Sequence, residues 1–177
     1  MKSLASKIVI AAFCIGLIGC GKSEAAKLAE QQAVERHDAR QKFKEAVAAI
    51  LVRAKGSTYD EFRQSRLNLE TCFEVNKSEL ADVQNEFEKL SSTMSACDHL
   101  WDRDIKYAEV PLRLYTKEDK VAMLIIHPSV ESKLTQKYTS EEIGKNPDFY
   151  AHNYVIWGLT QVREQCDLII SLLSKAS

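Results

Sequence analysis

The densest run of chemically capable side chains is Asp98-His99-Leu100-Trp101-Asp102-Arg103-Asp104. On a helix, His99 and Asp102 stand three residues apart on one face, and an imidazole with a carboxylate at that spacing can hold a divalent cation. A polar face turned to water has the same pattern, and no spacing elsewhere forces a further ligand towards the pair. The other histidines are scattered. His152 follows Asp148 by four, the spacing of an ion pair in the first turns of a helix. His127 precedes Pro128 at an expected exposed helix end, and His37 falls in a polar stretch. The chain contains no G-x-S-x-G, H-E-x-x-H or C-x-x-C, so nucleophilic and zinc-hydrolase chemistry has no motif to stand on. After Gly21 the glycines Gly56, Gly144 and Gly158 are isolated, which rules out a glycine-rich phosphate loop. Adjacent acids at Glu118-Asp119 and Glu141-Glu142 are ordinary at helix starts. The expectation is a protein that is not an enzyme and has no cofactor, with His99 and Asp102 as its only candidate metal ligands.

One cysteine points to chemistry of another kind. Lys2 and Lys7 precede an almost unbroken apolar run from Ile8 to Gly19, which closes as Leu17-Ile18-Gly19-Cys20. The run is too short to span a bilayer and has the charged start and apolar middle of a secretory signal. The closing tetrapeptide resembles the lipobox of bacterial lipoproteins, with Leu three before the cysteine and Gly just before it; Ile18 is a less usual occupant of its position. The resemblance implies thioether lipidation of Cys20, cleavage after Gly19 and acylation of the new amino terminus. The one covalent group implied is thus a lipid on Cys20, and the implied location is a bacterial membrane with the domain facing the periplasm. Cys20-Gly21-Lys22-Ser23-Glu24-Ala25 is also similar to the start of some inner-membrane efflux-adaptor lipoproteins, a likeness that ends there because those chains continue into β-rich domains. No Asp follows Cys20, which in enteric-type sorting favours the outer membrane, whereas Lys22-Ser23 points inward in other lineages, so the two membranes stay open with the outer slightly favoured.

Removing residues 1–19 from the 177 leaves 158, enough for one domain with a real core. The chain carries a net charge of −1, and loss of the two leader lysines takes it to −3. That balance argues against a nucleic-acid partner and against strong attraction to anionic headgroups. Membrane attachment is expected through the N-terminal lipid, where several acyl chains anchor stably and one does not. The reading divides the chain into a signal peptide at 1–19, a lipidated cysteine with a polar tether at 20–41, and a single helical domain at 42–177.

Apolar periodicity supplies the elements. Gly21 to about Gln41 is polar and alanine-rich, and reads as a solvated helix or a tether. Phe43, Val47, Ile50 and Ala54 then mark one helical face. Gly56 stops that helix, and Thr58 with Glu61 has capping-box spacing for the next. Leu80, Val83, Phe87, Leu90, Met94, Cys97 and Trp101 alternate steps of three and four without a miss, the seam of a helix packed lengthwise. The short Asn76-Lys77-Ser78 turn, with Ser78 as a cap, predicts an antiparallel hairpin of helices 59–75 and 79–104. Residues 106–146 are irregular: Val110 to Leu114 alternates like a short strand, and Thr116 with Asp119 three on can cap a helix to Ile126. Asn146-Pro147-Asp148 makes a helix start, and Val155, Leu159, Val162, Cys166, Ile169 and Leu173 form a second seam. The fold class is all-α, an antiparallel bundle of three to four long helices.

Helical rise constrains the disulfides. Across the hairpin Cys72 faces roughly residue 82, leaving Cys97 about 22 Å away, whereas a bridge needs Cα atoms within about 7 Å. Any bridge must therefore include Cys166. A last helix antiparallel to the 80–101 helix brings Cys166 towards Cys72, and a parallel one brings it towards Cys97. Seam membership favours Cys97 with Cys166, and three free thiols remain an alternative. The function expected from all this is a lipid-anchored envelope protein with a non-catalytic binding or structural role towards a protein or the cell wall. Alternatives are an envelope-protective inhibitor or phage-exclusion lipoprotein, and a divalent-metal binder or enzyme using residues 98–104.

Overall fold

A computed structural model of the chain describes residues 23–107, 116–131 and 150–175. The lipobox with Cys20, the strand-like alternation at Val110–Leu114 and the Asn146-Pro147-Asp148 helix start lie outside the described residues. Among the described residues five α-helices form: α1 (Glu24–Arg53), α2 (Tyr59–Val75), α3 (Gln84–Tyr107), α4 (Lys117–Ile126) and α5 (Ala151–Lys175). Two 3-10 turns, Ala81–Val83 and Pro128–Val130, complete the elements, and no strand occurs among the described residues.

The chain falls into two units, Met1–Arg36 and His37–Ser177. In the first, Glu24 to Arg36 is helical and wholly exposed, Leu28 and Val34 included, as its sparse apolar content requires. In the second, burial begins at Ala39 and Arg40, so the helix has no break at the expected 41/42 boundary. Arg40 is buried because its Nη1 donates to both carboxylate oxygens of Asp82 at 2.9 Å.

Within the second unit the four long helices alternate in direction. Phe43 meets Phe73 (5.6 Å between rings) and Arg53 meets Glu61 (3.3 Å), so α1 and α2 are antiparallel. Phe73 stacks on Phe87 at 3.9 Å, and Phe62 lies 5.7 Å from Trp101, which makes α2 and α3 antiparallel too. Gln165 Nε2 donates to Thr93 Oγ1 (3.2 Å) and His152 contacts Asp104 (3.3 Å), setting α5 antiparallel to α3. Lys44 Nζ donates to Ser174 Oγ, joining α1 to α5. The core follows the seams. Leu80, Val83, Phe87, Leu90, Met94 and Cys97 are all buried, as are Val155, Val162, Cys166, Ile169 and Leu173. Each such large apolar side chain contributes about 1.5–3 kcal/mol by leaving water.

Local signals account for the helix ends. Thr58 Oγ1 accepts the Glu61 N–H at 3.3 Å, while Glu61 accepts the Thr58 N–H at 3.0 Å, a complete capping box. Thr116 and Asp119 form a second one at the start of α4. The expected cap at Ser78 does not form. Its hydroxyl donates to Glu79 (2.7 Å), and residues 76–80 make tight turns before α3 starts at Gln84. The slower start lets Leu80 and Val83 enter the core while Asp82 reaches back to Arg40.

Cys72, Cys97 and Cys166 are free thiols. Cys97 Sγ is directed at Gly158, where a Cβ would overlap it. Gly158 precedes Cys166 by eight residues, about 12 Å along α5. A bridge between Cys97 and Cys166 would require sliding the helices by that length.

Candidate functional site

The charged run at 98–104 does not converge on a ligand; it fans out. Asp98 Oδ2 accepts from Arg66 Nη2 on α2 at 3.0 Å. His99 Nε2 lies 2.7 Å from Asp119 Oδ1 on α4, and Arg103 Nε lies 3.6 Å from Asp119 Oδ2. Asp104 contacts His152 on α5. Asp102 is tied to Lys106 one turn along its own helix, at 2.7 Å. His99 and Asp102 are therefore engaged with different partners, although both border one small surface hollow. Among the described residues no three of His, Cys, Asp and Glu are grouped to hold a metal ion.

Asp119 is the residue that sequence reasoning placed only as a cap. The box at the start of α4 holds its backbone, with Asp119 N donating to Thr116 Oγ1 at 3.1 Å and Oδ2 accepting the Thr116 N–H at 3.0 Å. α4 lies against α3, so the same carboxylate is 1 % exposed and meets His99 and Arg103. Burial alone would raise its pKa; the Thr116 N–H, His99 and Arg103 outweigh that and hold it below the ordinary value. Against an ionised carboxylate the His99 Nε2 carries the hydrogen, and among the described residues Nδ1 has no partner. No hydroxyl among the described residues is bonded to the imidazole. The geometry is that of a clamp between α3 and α4.

A second polar knot lies across α3. Arg66 Nη1 donates to Glu70 and its Nη2 to Asp98, both at 3.0 Å, while Ser91 Oγ donates to Glu70 at 3.1 Å. Arg66 Nε and Asp98 Oδ1 are buried without hydrogen-bond partners. Burial, and then the nearby Asp98 carboxylate, raise the pKa of Tyr59. His127 stands at the helix end as expected, but half-buried rather than exposed. It caps α4, its ring is 5.1 Å from Trp157, and its Nδ1 is bonded to Ser129 Oγ.

Between α3 and α4 the surface is concave. One hollow of about 630 Å³ is bordered by Ser91, Ser92, Ser95 and His99 of α3 and by Val121 and Ile125 of α4. A second of about 600 Å³ shares Ser92 and Ile125 with it and continues along α3 towards Asn85, with Gln161 and Gln165 of α5 on its other side. Small side chains on α3 keep its surface low, and Val121 and Ile125 remain 50 % and 40 % exposed.

No protein-family model, curated protein or solved structure matches this chain.

Among the described residues no helix is long and apolar enough to cross a membrane. What the site offers, then, is a set of polar side chains that join helices, beside an open furrow with an apolar wall. Sequence reasoning found His99 and the cap at Thr116, since both signals are local. It missed the pairing of His99 with Asp119, whose only prior trace was the capping-box spacing.

Proposed function

We propose that this chain is a lipid-anchored envelope protein, held to a bacterial membrane through Cys20, with a non-catalytic binding or structural role towards another envelope protein or the wall. The observation that carries the reading is Leu17-Ile18-Gly19-Cys20 at the end of a short apolar run behind two lysines. The fold supports it indirectly. Asp98, His99, Arg103 and Asp104 are engaged in joining helices, and the open furrow suits a macromolecular surface better than an enclosed small ligand. The polar stretch after Cys20 supplies a spacer. Sorting to the outer membrane agrees with the absence of Asp after Cys20.

The test is Cys20→Ala in the native host, followed by fractionation and mass analysis of the amino terminus. The reading expects wild-type protein in the membrane fraction with an acylated Cys20, and an unprocessed Cys20→Ala form without the lipid. Normal cleavage and membrane retention of the variant would overturn it.

A further inference from the structure

We infer that the furrow between α3 and α4 receives an amphipathic helix from a partner envelope protein, its apolar side chains against Val121 and Ile125 and a lysine or arginine at each end. The inference rests on the non-catalytic binding role proposed above and names the face and the partner chemistry.

Three observations fix the occupant. The two hollows share Ser92 and Ile125 and together follow α3 from Asn85 to His99, about 21 Å at helical rise. The wall of the first hollow is apolar and exposed at Val121 and Ile125, one turn apart on α4; Ile125 continues into the second, which Gln161 and Gln165 of α5 close on the far side. Charge then selects the partner. Glu118 borders the His99 end and Glu88 the Asn85 end. Among the described residues neither has an ion-pair partner; Glu88 accepts only the amide of Gln84. The other rim carboxylates are occupied, Glu70 by Arg66 and Glu86 by Lys89. Among the described residues Lys117, next to Glu118, is the one rim cation outside such pairs, and the carboxylates of the described rim outnumber its cations. Glu88 and His99, beside Glu118, are eleven residues apart on α3, about three turns. A partner helix with cations at that interval presents both on the face that carries its apolar stripe.

An extended peptide fits less well, because strand addition needs an open backbone edge and the α3 and α4 backbones are bonded within their helices. The acidic rim disfavours nucleic acid and anionic headgroups.

The experiment uses full-length lipidated protein in detergent on a sensor surface, with empty micelles as the reference channel. The probes are two designed helical peptides of about 18 residues, long enough to be partly helical, with one Leu/Ala stripe and either lysines or glutamates at both ends. Wild-type protein should bind the lysine form about tenfold more tightly than the glutamate form. Ser92→Trp, a change at an exposed position that fills the furrow, should weaken it about tenfold while circular dichroism stays unchanged. Glu88→Lys with Glu118→Lys should invert the preference between the peptides. Undiminished binding by Ser92→Trp, or an unmoved preference after charge reversal, would overturn the assignment. So would self-association that Ser92→Trp dissolves, since the occupant would then be a second copy. Either failure with Cys20 still acylated removes the furrow assignment alone, whereas loss of the anchor removes the reading beneath it.

Discussion

His99 Nε2 on α3 and Asp119 Oδ1 on α4 lie 2.7 Å apart, and the same carboxylate closes the capping box at the start of α4. One side chain therefore begins a helix and fastens it. Asp119→Ala removes the carboxylate half of the capping box and the clamp together, leaving the Thr116 hydroxyl on the backbone N–H of residue 119, and should cost about 2–3 kcal/mol. His99→Ala leaves the cap intact and should cost about 1–2 kcal/mol. Chemical denaturation of both variants would check the order, and equal losses would show that the clamp contributes all of the effect.

Acid should weaken the same contact. The folded-state pKa of Asp119 lies below its ordinary value, so its stabilisation is complete at neutral pH. It is lost as pH falls through the normal carboxylate range, about 4, towards the lower folded value. Asp119→Asn should flatten the acid limb of a stability–pH profile; an unchanged limb would assign that limb to other carboxylates.

Arg66 and Asp98 are both largely buried, each side chain 14 % exposed. Arg66→Ala strands a buried carboxylate and should cost about 3–5 kcal/mol, whereas Arg66→Met combined with Asp98→Leu should recover most of that loss, with Glu70 keeping the Ser91 hydroxyl as its donor. A double-mutant cycle by urea unfolding measures the difference. Similar costs for the single and double variants would show the pair to be solvated rather than buried.

Gly158 is where α5 passes closest to Cys97. Alanine there gains about 1 kcal/mol of helix propensity, but its Cβ would overlap Cys97 Sγ and approach Ile126 Cδ1 to 2.9 Å. Gly158→Ala should therefore be destabilising by about 1–3 kcal/mol, with partial recovery on adding Cys97→Ala. A stabilised single variant would mean that the helices separate at little cost.

The thiols should differ in reactivity. Burial pushes Cys97 and Cys166 up to about 12, and half-buried Cys72 is raised as well, mainly by burial. In lipidated protein at mild alkaline pH, a maleimide counted by intact mass should add first at Cys72, with Cys97 and Cys166 following only in denaturant. Early labelling of Cys97 would indicate that α5 opens from α3.

What could be read in advance was what neighbouring residues decide. The three-and-four spacing from Leu80 to Trp101 predicted seven positions, of which the six from Leu80 to Cys97 are buried and Trp101 is half-buried, because the pitch of a helix is independent of its surroundings. Thr58 with Glu61 and Thr116 with Asp119 formed the boxes that their spacing implied. Ser78 failed as a cap because the turn answers to Arg40, forty-two residues from Asp82. The ligands of Asp98, His99 and Asp104 were equally hidden, since a polar face pattern does not say which helix will lie beside it. The direction of α5 was open for the same reason, and with it the level at which Cys166 stands relative to Cys97.

Apolar seams built on alternating steps of three and four repeat every seven residues, so hydrophobic contact alone would tolerate sliding α3 by two turns. Asp98 held by α2, His99 by α4 and Asp104 by α5 remove that freedom. The three bonds point in different directions from one short length of helix, and no screw motion of α3 preserves them all. The charged run thus works as an indexing pin that selects one alignment among several that the oily faces would accept.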